Sequence, residues 1–198
     1  MAILKVIKYG DKILRTKAKE VHKISAKIQK LADNMLDTMY KYDGVGLAAP
    51  QVGENYRLFV IDTAASDEQP NPMVFINPKI IKKTGATSCS EGCLSFPDAY
   101  TDVRRYSEVI VRAKDLKGRL FTLEAKDGSL LCRAIQHEND HLDGILFIDH
   151  SRSRFTTEEE LASKGLKPIE PEYLLEEEEL ENEVQKLEMV QREEVREA

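Results

Sequence analysis

The sequence predicts an α+β protein, and three observations carry the prediction. Apolar residues recur at helical spacing between residues 28 and 39, four runs rich in β-branched and aromatic residues lie between 57 and 126, and helical spacing returns from Ser129. Helix, strands, helix is not the regular alternation that builds a parallel α/β sheet.

The elements follow in order. After a short extended start, Ser25 stands where a helix cap is wanted, and Ile28, Leu31, Met35, Leu36 and Met39 form one buried stripe. This helix is expected to stop near Asp43 and Gly44. The runs RLFVID (57–62), MVFINPKII (73–81), SEVIVRAKD (107–115) and RLFTLEAK (119–126) read as strands, punctuated by turn signals such as DLKG and DG. Between the first two, TAASDEQPNP (63–72) has two prolines and no apolar period, which reads as a loop. From Ser129, Leu130, Leu131, Ala134 and Ile135 restore the helical pattern, and Gly144 permits an exit into ILFID. Beyond residue 150, TTEEELASKGL carries capping residues for a short helix and Pro168 and Pro171 punctuate. Residues 173–197 then set Leu180, Val184, Leu187 and Val190 or Gln191 against an acidic face, the pattern of an amphipathic helix that is either solvated or partner-bound. The expected division is a main domain at 1–150 and an acidic helical extension at 151–198.

Composition narrows the function classes. With 198 residues and 41% hydrophobic content, the chain can bury a sizeable core. The N-terminal apolar run is short and broken by Lys5 and Lys8, so a soluble, non-exported protein is expected. Three cysteines, Cys89, Cys93 and Cys132, are an odd number and suit a reducing cytoplasm with free thiols. The net charge of −6 is unevenly placed: residues 151–198 carry 7 basic against 15 acidic residues, the first 150 carry 22 against 20. A near-neutral body disfavours nucleic acid or an anionic membrane as the main partner.

The chemistry is concentrated in RAIQHENDHLDG (133–144). Residues four apart lie on one helical face, so His137 and His141 can direct two ring nitrogens at one metal ion. Glu138 is turned about 100° away, which suits a proton acceptor beside a metal-activated water rather than a ligand. A catalytic metal wants a third protein ligand and an open position. One protease class continues the motif to a further histidine, but Phe147 occupies that position. Another draws a later glutamate, for which Glu158 to Glu160 or Glu170 are available. A third source is upstream, in SCSEGCLSFPD (88–98), where Cys93 and Cys89 both offer thiolates. Leu130, Arg133 and Ala134 share the face of His137 and can wall a substrate pocket, whereas Cys132 points elsewhere, toward a core. Gly44 and Gly46 allow close approach of backbone to a ligand; a helix-ending turn explains Gly44 equally well.

Three segments taken together, GVGLAAPQVG (44–53), EGCLSFP (91–97) and QHENDHLDG (136–144), resemble in order and separation the three signature motifs of the peptide deformylase family. The similarity covers residues 1 to about 150. It implies antiparallel sheets packed around a central helix that carries the H-E-x-x-H motif, and removal of the formyl group from the N-terminal formyl-methionine of new polypeptides. It implies Cys93, rather than Cys89, as the third ligand beside His137 and His141, with Glu138 as general acid/base. Gln51 and the Leu94 backbone N–H would form the oxyanion hole, and Gly46 would contact the substrate backbone. One divalent metal is implied, Fe²⁺ in the cell, with Zn²⁺ or Ni²⁺ fitting the same donors. The implied partners are N-formylmethionyl peptides and nascent chains, with transient proximity to the ribosome, no direct nucleic-acid or membrane binding, and a cytoplasmic location. Glu91 would be held by Arg105, a pair that otherwise reads as a local surface contact. Two departures stand out: Tyr100 near the cleft mouth, where many relatives carry a basic or small residue, and an acidic rather than basic C-terminal extension. The competing readings are a zinc metallopeptidase using a tail glutamate, and a non-enzymatic protein with a closed structural metal site.

Overall fold

The computed structural model describes residues 2–64 and 70–170, so the helix expected over 173–197 and part of the loop at 63–72 lie outside it. The elements run α1 (Ala26–Lys41), β1 (Gly46–Ala48), β2 (Leu58–Ile61), β3 (Met73–Thr84), β4 (Thr87–Cys93), β5 (Phe96–Arg105), β6 (Glu108–Lys114), β7 (Leu120–Ala125), α2 (Leu130–Asp143) and α3 (Arg154–Ser163). Five strands form one antiparallel sheet in the order β1-β2-β3-β6-β7, and β4-β5 is a separate hairpin inserted between β3 and β6.

The expected strands at 57–62, 73–81, 107–115 and 119–126 correspond to β2, β3, β6 and β7. Their burial explains their different sequence texture. One end of the sheet is covered on both faces: Leu47, Leu58, Val60 and Ile76 pack on α1, while Ala48, Phe59, Ile61 and Phe75 pack on α2. Strand β2 is therefore apolar without interruption, as two-sided burial demands. Farther along, β6 and β7 bury only the face toward α2, and their residues alternate between buried and open. Pro78 is accommodated inside β3 at a register shift between Ile76 and Lys79, where no ladder donor is needed.

The two long helices end by different devices. Ser25 is the N-cap residue of α1 but its side chain makes no capping bond, whereas Ser129 Oγ accepts from the Cys132 N–H at 3.3 Å at the start of α2. At the far end of α2, Gly144 has φ +76°, and a Cβ there would lie 2.7 Å from the Arg15 carbonyl oxygen. Only glycine fits this turn.

A third apolar cluster joins the hairpin to the chain after α2: Phe96 and Val103 of β5 pack with Leu14, Phe147, Leu161 and Ile169. The short helix expected from TTEEELASKGL starts earlier than its threonines suggest, capped by Ser153 on the Thr156 N–H. It rests on β5 through Thr157 and Thr101, whose Oγ1 atoms are 2.6 Å apart, and through Glu160, which accepts from the Tyr100 N–H at 3.2 Å. No helix among the described residues is long and apolar enough to cross a membrane.

Candidate metal centre

Helix α2 lies between the five-stranded sheet and the hairpin, with Ile135 and Leu142 in the core against the sheet. That packing turns His137, Glu138 and His141 toward the end of β4. The two imidazole rings have centroids 5.0 Å apart at 75° to one another. Strand β4 delivers Cys93 to them from 44 residues upstream of His137, at a register shift between Gly92 and Cys93 that re-aims the chain. The Cys93 Sγ stands 3.3 Å from His141 Nε2.

Cys93, His137 and His141 present ligand atoms that all lie within 4.8 Å of one another. Zn–S and Zn–N bonds of ~2.0–2.3 Å at tetrahedral angles separate ligand atoms by roughly 3.3–3.7 Å, a spacing that Cys93 and His141 already have, so the donor set fits one such cation once the wider separations close by up to ~1 Å. A thiolate with two imidazoles is also a donor set for Fe²⁺ or Zn²⁺. Among the described residues the group has three members, the number of protein ligands a catalytic site uses, where a structural site takes four.

The alternative ligands lie elsewhere. Cys89 Sγ is 3.6 Å from Glu91 Oε1, Glu158 pairs with Arg154, and Glu160 is bound to the Tyr100 backbone. Cys132 is buried in the main core, as its position on the helix predicts.

The surroundings orient the ligands. His137 Nδ1 lies 2.9 Å from Glu91 Oε2, which points Nε2 of the same ring at the metal position. Glu91 is in turn gripped by Arg105, with Nε and Nη2 donating to its two oxygens at 2.9 and 2.8 Å. This pair is buried, with side-chain exposures of 3% and 7%, and is no surface contact. Arg105 also pairs with Asp140, and His150 Nε2 stands 3.0 Å from the same Asp140 carboxylate. Sequence reasoning missed Asp140 and His150. An acid three residues after His137, inside the quoted motif, was the available signal for the first; nothing local marks the second.

The electrostatics follow from burial and pairing. Burial alone would raise Glu91 and Asp140, yet the Arg105 guanidinium beside both holds them well below the usual carboxylate range. Burial would also raise the Cys93 thiol, but the His141 charge and hydrogen bonds from both histidines hold it well below the ordinary thiol value. His137 goes the other way, raised against burial by its bonds to Cys93 and Glu91. A proton shared in this way is what a divalent cation displaces on binding. Glu138 has no such partner: burial pushes its carboxyl up to about 7 although both histidines pull it down, and its Oε2 is buried with no hydrogen-bond partner.

A cleft of about 510 Å³ opens over the centre, and Leu130, Arg133 and Ala134 of α2 line it beside His137 and Glu138. Leu130 is half open, Ala134 is buried, and Arg133 Nε donates to the Gly128 carbonyl at 3.1 Å. Gln51 sits in the 3-10 turn after β1; its Oε1 accepts from the Ala48 N–H at 2.7 Å, which aims Nε2 at Cys93 Sγ, 3.2 Å away. Leu94 follows Cys93 on the cleft wall, where Lys8 Nζ donates to its carbonyl at 2.8 Å, a contact the sequence did not suggest. Gly46 is in the edge strand β1. The Val45 carbonyl accepts from Asp62 of the β2 side, so alternation turns the Gly46 N–H and C=O to the opposite edge, toward the cleft. Tyr100 is 61% exposed at the cleft wall and lies across Gly92, where a Cβ would meet its ring at 2.5 Å.

Known proteins resemble this chain over most of its length. The family model described as polypeptide deformylase matches residues 3–156. The peptide deformylase of Thermodesulfovibrio yellowstonii is 48% identical over 149 residues, covering 75% of this chain and 89% of that protein. That of Mesorhizobium japonicum is 49% identical over 151 residues, covering 76% and 85%. Among solved structures, a peptide deformylase from Synechococcus elongatus in complex with actinonin superposes with a TM-score of 0.81 at 45% identity, covering 87% of this chain and 91% of that one.

Proposed function

Because this chain belongs to the peptide deformylase family, we propose that its cleft binds N-formylmethionyl peptides and that the residues around its metal centre hydrolyse their formyl amide, releasing formate. The observation that carries this reading is the convergence of Cys93, His137 and His141 beside the buried Glu138 carboxylate, whose Oε2 has no hydrogen-bond partner.

Cys93, His137 and His141 would hold one divalent ion, which when bound polarises a carbonyl and lowers the pKa of water from 15.7 toward ~7. Glu138 takes the proton released by the attacking water and returns it to the departing amine. Burial raises its carboxyl above the ordinary carboxylate value, which suits a group that must both take and return a proton. Gln51 Nε2 and the Leu94 N–H donate to the formyl oxygen as it takes on negative charge. The Gln51 amide is already oriented by Ala48, so little reorganisation is needed. Gly46 offers its cleft-facing peptide groups to the substrate backbone, and Leu130, Ala134 and the stem of Arg133 wall the methionine side chain.

The thiolate and imidazole donors support Fe²⁺ in the cell, with Zn²⁺ and Ni²⁺ as replacements the same ligands accept. Nascent chains are the natural substrates, met in the cytoplasm during transient proximity to the ribosome. Residues 1–150 carry the catalytic groups, and 151–198 are the acidic extension, whose first part packs on them. Because Leu161 and Ile169 close an apolar cluster against Phe96 and Phe147, a truncation that tests the extension belongs after Glu170.

Glu138→Gln tests the mechanism on formyl-Met-Ala. A folded, metal-loaded variant with kcat reduced ~10²–10⁴-fold is expected, the usual worth of a general acid/base. Undiminished hydrolysis rejects the role of Glu138.

A further inference from the structure

We infer that Gly46 is a positioning residue: its missing side chain is the seat of the Glu138 carboxylate. This rests on Glu138 being the acid/base group, and adds what fixes that group in place.

A Cβ built on Gly46 would lie 2.4 Å from Glu138 Oε1 and 2.9 Å from both Cδ and Cγ, far inside any real carbon contact. The backbone itself does not call for glycine at this position. Gly46 is not among the glycines with positive φ, and it lies in an extended strand that any residue adopts. Ala48, two residues on and on the same face of β1, carries its Cβ into the core against α2 without difficulty. The bare Cα is therefore required by what lies over residue 46, and that is Glu138.

Glu138 comes from a helix locked into the main core, so the carboxylate, not the helix, would have to yield to a side chain at residue 46. Restoring an ordinary contact of about 3.4 Å from 2.4 Å moves Oε1 by ~1 Å, and misplacement on that scale can cost ~10² in rate. Gly44, in the same motif, differs. The one contact of a Cβ there below 3.0 Å is with the Leu94 Cδ1 end, at 2.9 Å, a flexible tip that can swing aside, and Met39 Cγ follows at 3.4 Å.

The test is a double-mutant cycle on formyl-Met-Ala with wild type, Gly46→Ala, Glu138→Asp and the double variant, each checked for metal content. Gly46→Ala is expected to lower kcat about 100-fold with a smaller change in KM. In the Glu138→Asp background, where the carboxylate is withdrawn by one methylene, the same substitution should cost less than about threefold. A kcat within about threefold of wild type for Gly46→Ala overturns the inference, as does an equal loss in both backgrounds, which would mark a substrate contact alone. If Gly46→Ala instead loses metal or melts early, the coupling is read from melting temperature. The loss should vanish in Glu138→Ala, and a loss that persists there overturns the inference. Failure of the underlying reading looks different: Glu138→Gln would remain active.

Discussion

Removing the Arg105 guanidinium should uncover the electrostatic cost of the network behind His137. Arg105→Ala leaves Glu91 and Asp140, with side-chain exposures of 7% and 16%, without their shared cation. Breaking a buried pair by deleting one partner costs ~3–5 kcal/mol. With a urea m-value of ~2 kcal/mol/M, a loss of ~4 kcal/mol lowers the unfolding midpoint by ~2 M. The pH dependence carries the argument further. In the wild type both carboxyls are depressed below their ordinary values of 4.5 and 3.8. Their contribution is therefore complete above those values and is lost only as pH falls through the lower folded ones. In Arg105→Ala, burial is opposed by less positive charge, so the carboxyls rise, and protonation relieves part of the penalty as the solution is acidified. The stability difference between the two proteins should be largest at pH 7 and smaller at pH 5. Urea titrations of both proteins at the two pH values, at fixed metal concentration, measure it. A difference below ~1 kcal/mol, or one independent of pH, would refute the claim that Arg105 compensates two buried charges.

Two further outcomes are expected. Glu91→Gln removes the carboxylate 2.9 Å from His137 Nδ1 and should weaken metal binding ~10–100-fold in competition with a chelator, with unchanged affinity counting against an orienting role. Gly144→Ala should lower the melting temperature more than Gly165→Ala does. Both positions have positive φ, worth ~1–3 kcal/mol, but only the Gly144 methyl collides with the Arg15 carbonyl, while nothing lies within 4 Å at Gly165.

What could be read along the chain was whatever repeats with a local period. The stripe from Ile28 to Met39, the histidines four apart on α2 with Glu138 between them, and the apolar runs of β2, β3, β6 and β7 all declare their faces without reference to any other segment. Strands β1, β4 and β5 declare much less. The first is three residues inside a glycine motif, and TSCSEGC of β4 has almost no apolar side chains, because its hairpin stands apart from the main sheet.

The residue patterns alone left Cys89, Cys93 and the tail glutamates open as the third ligand, and family resemblance was needed to favour one. Which sulfur reaches the histidines depends on the shift at Gly92 and on how α2 docks between sheet and hairpin, a relation among three distant segments that no local period encodes. The same holds for Gly46, whose bare Cα has meaning only with Glu138 lying on it, and for Arg105, whose second partner Asp140 is 35 residues away. Sequence determines which side of each element faces inward, since that follows from helical and strand periodicity. Tertiary packing alone decides which inward-facing groups meet, because contacts at a few ångströms depend on the placement of whole elements against one another.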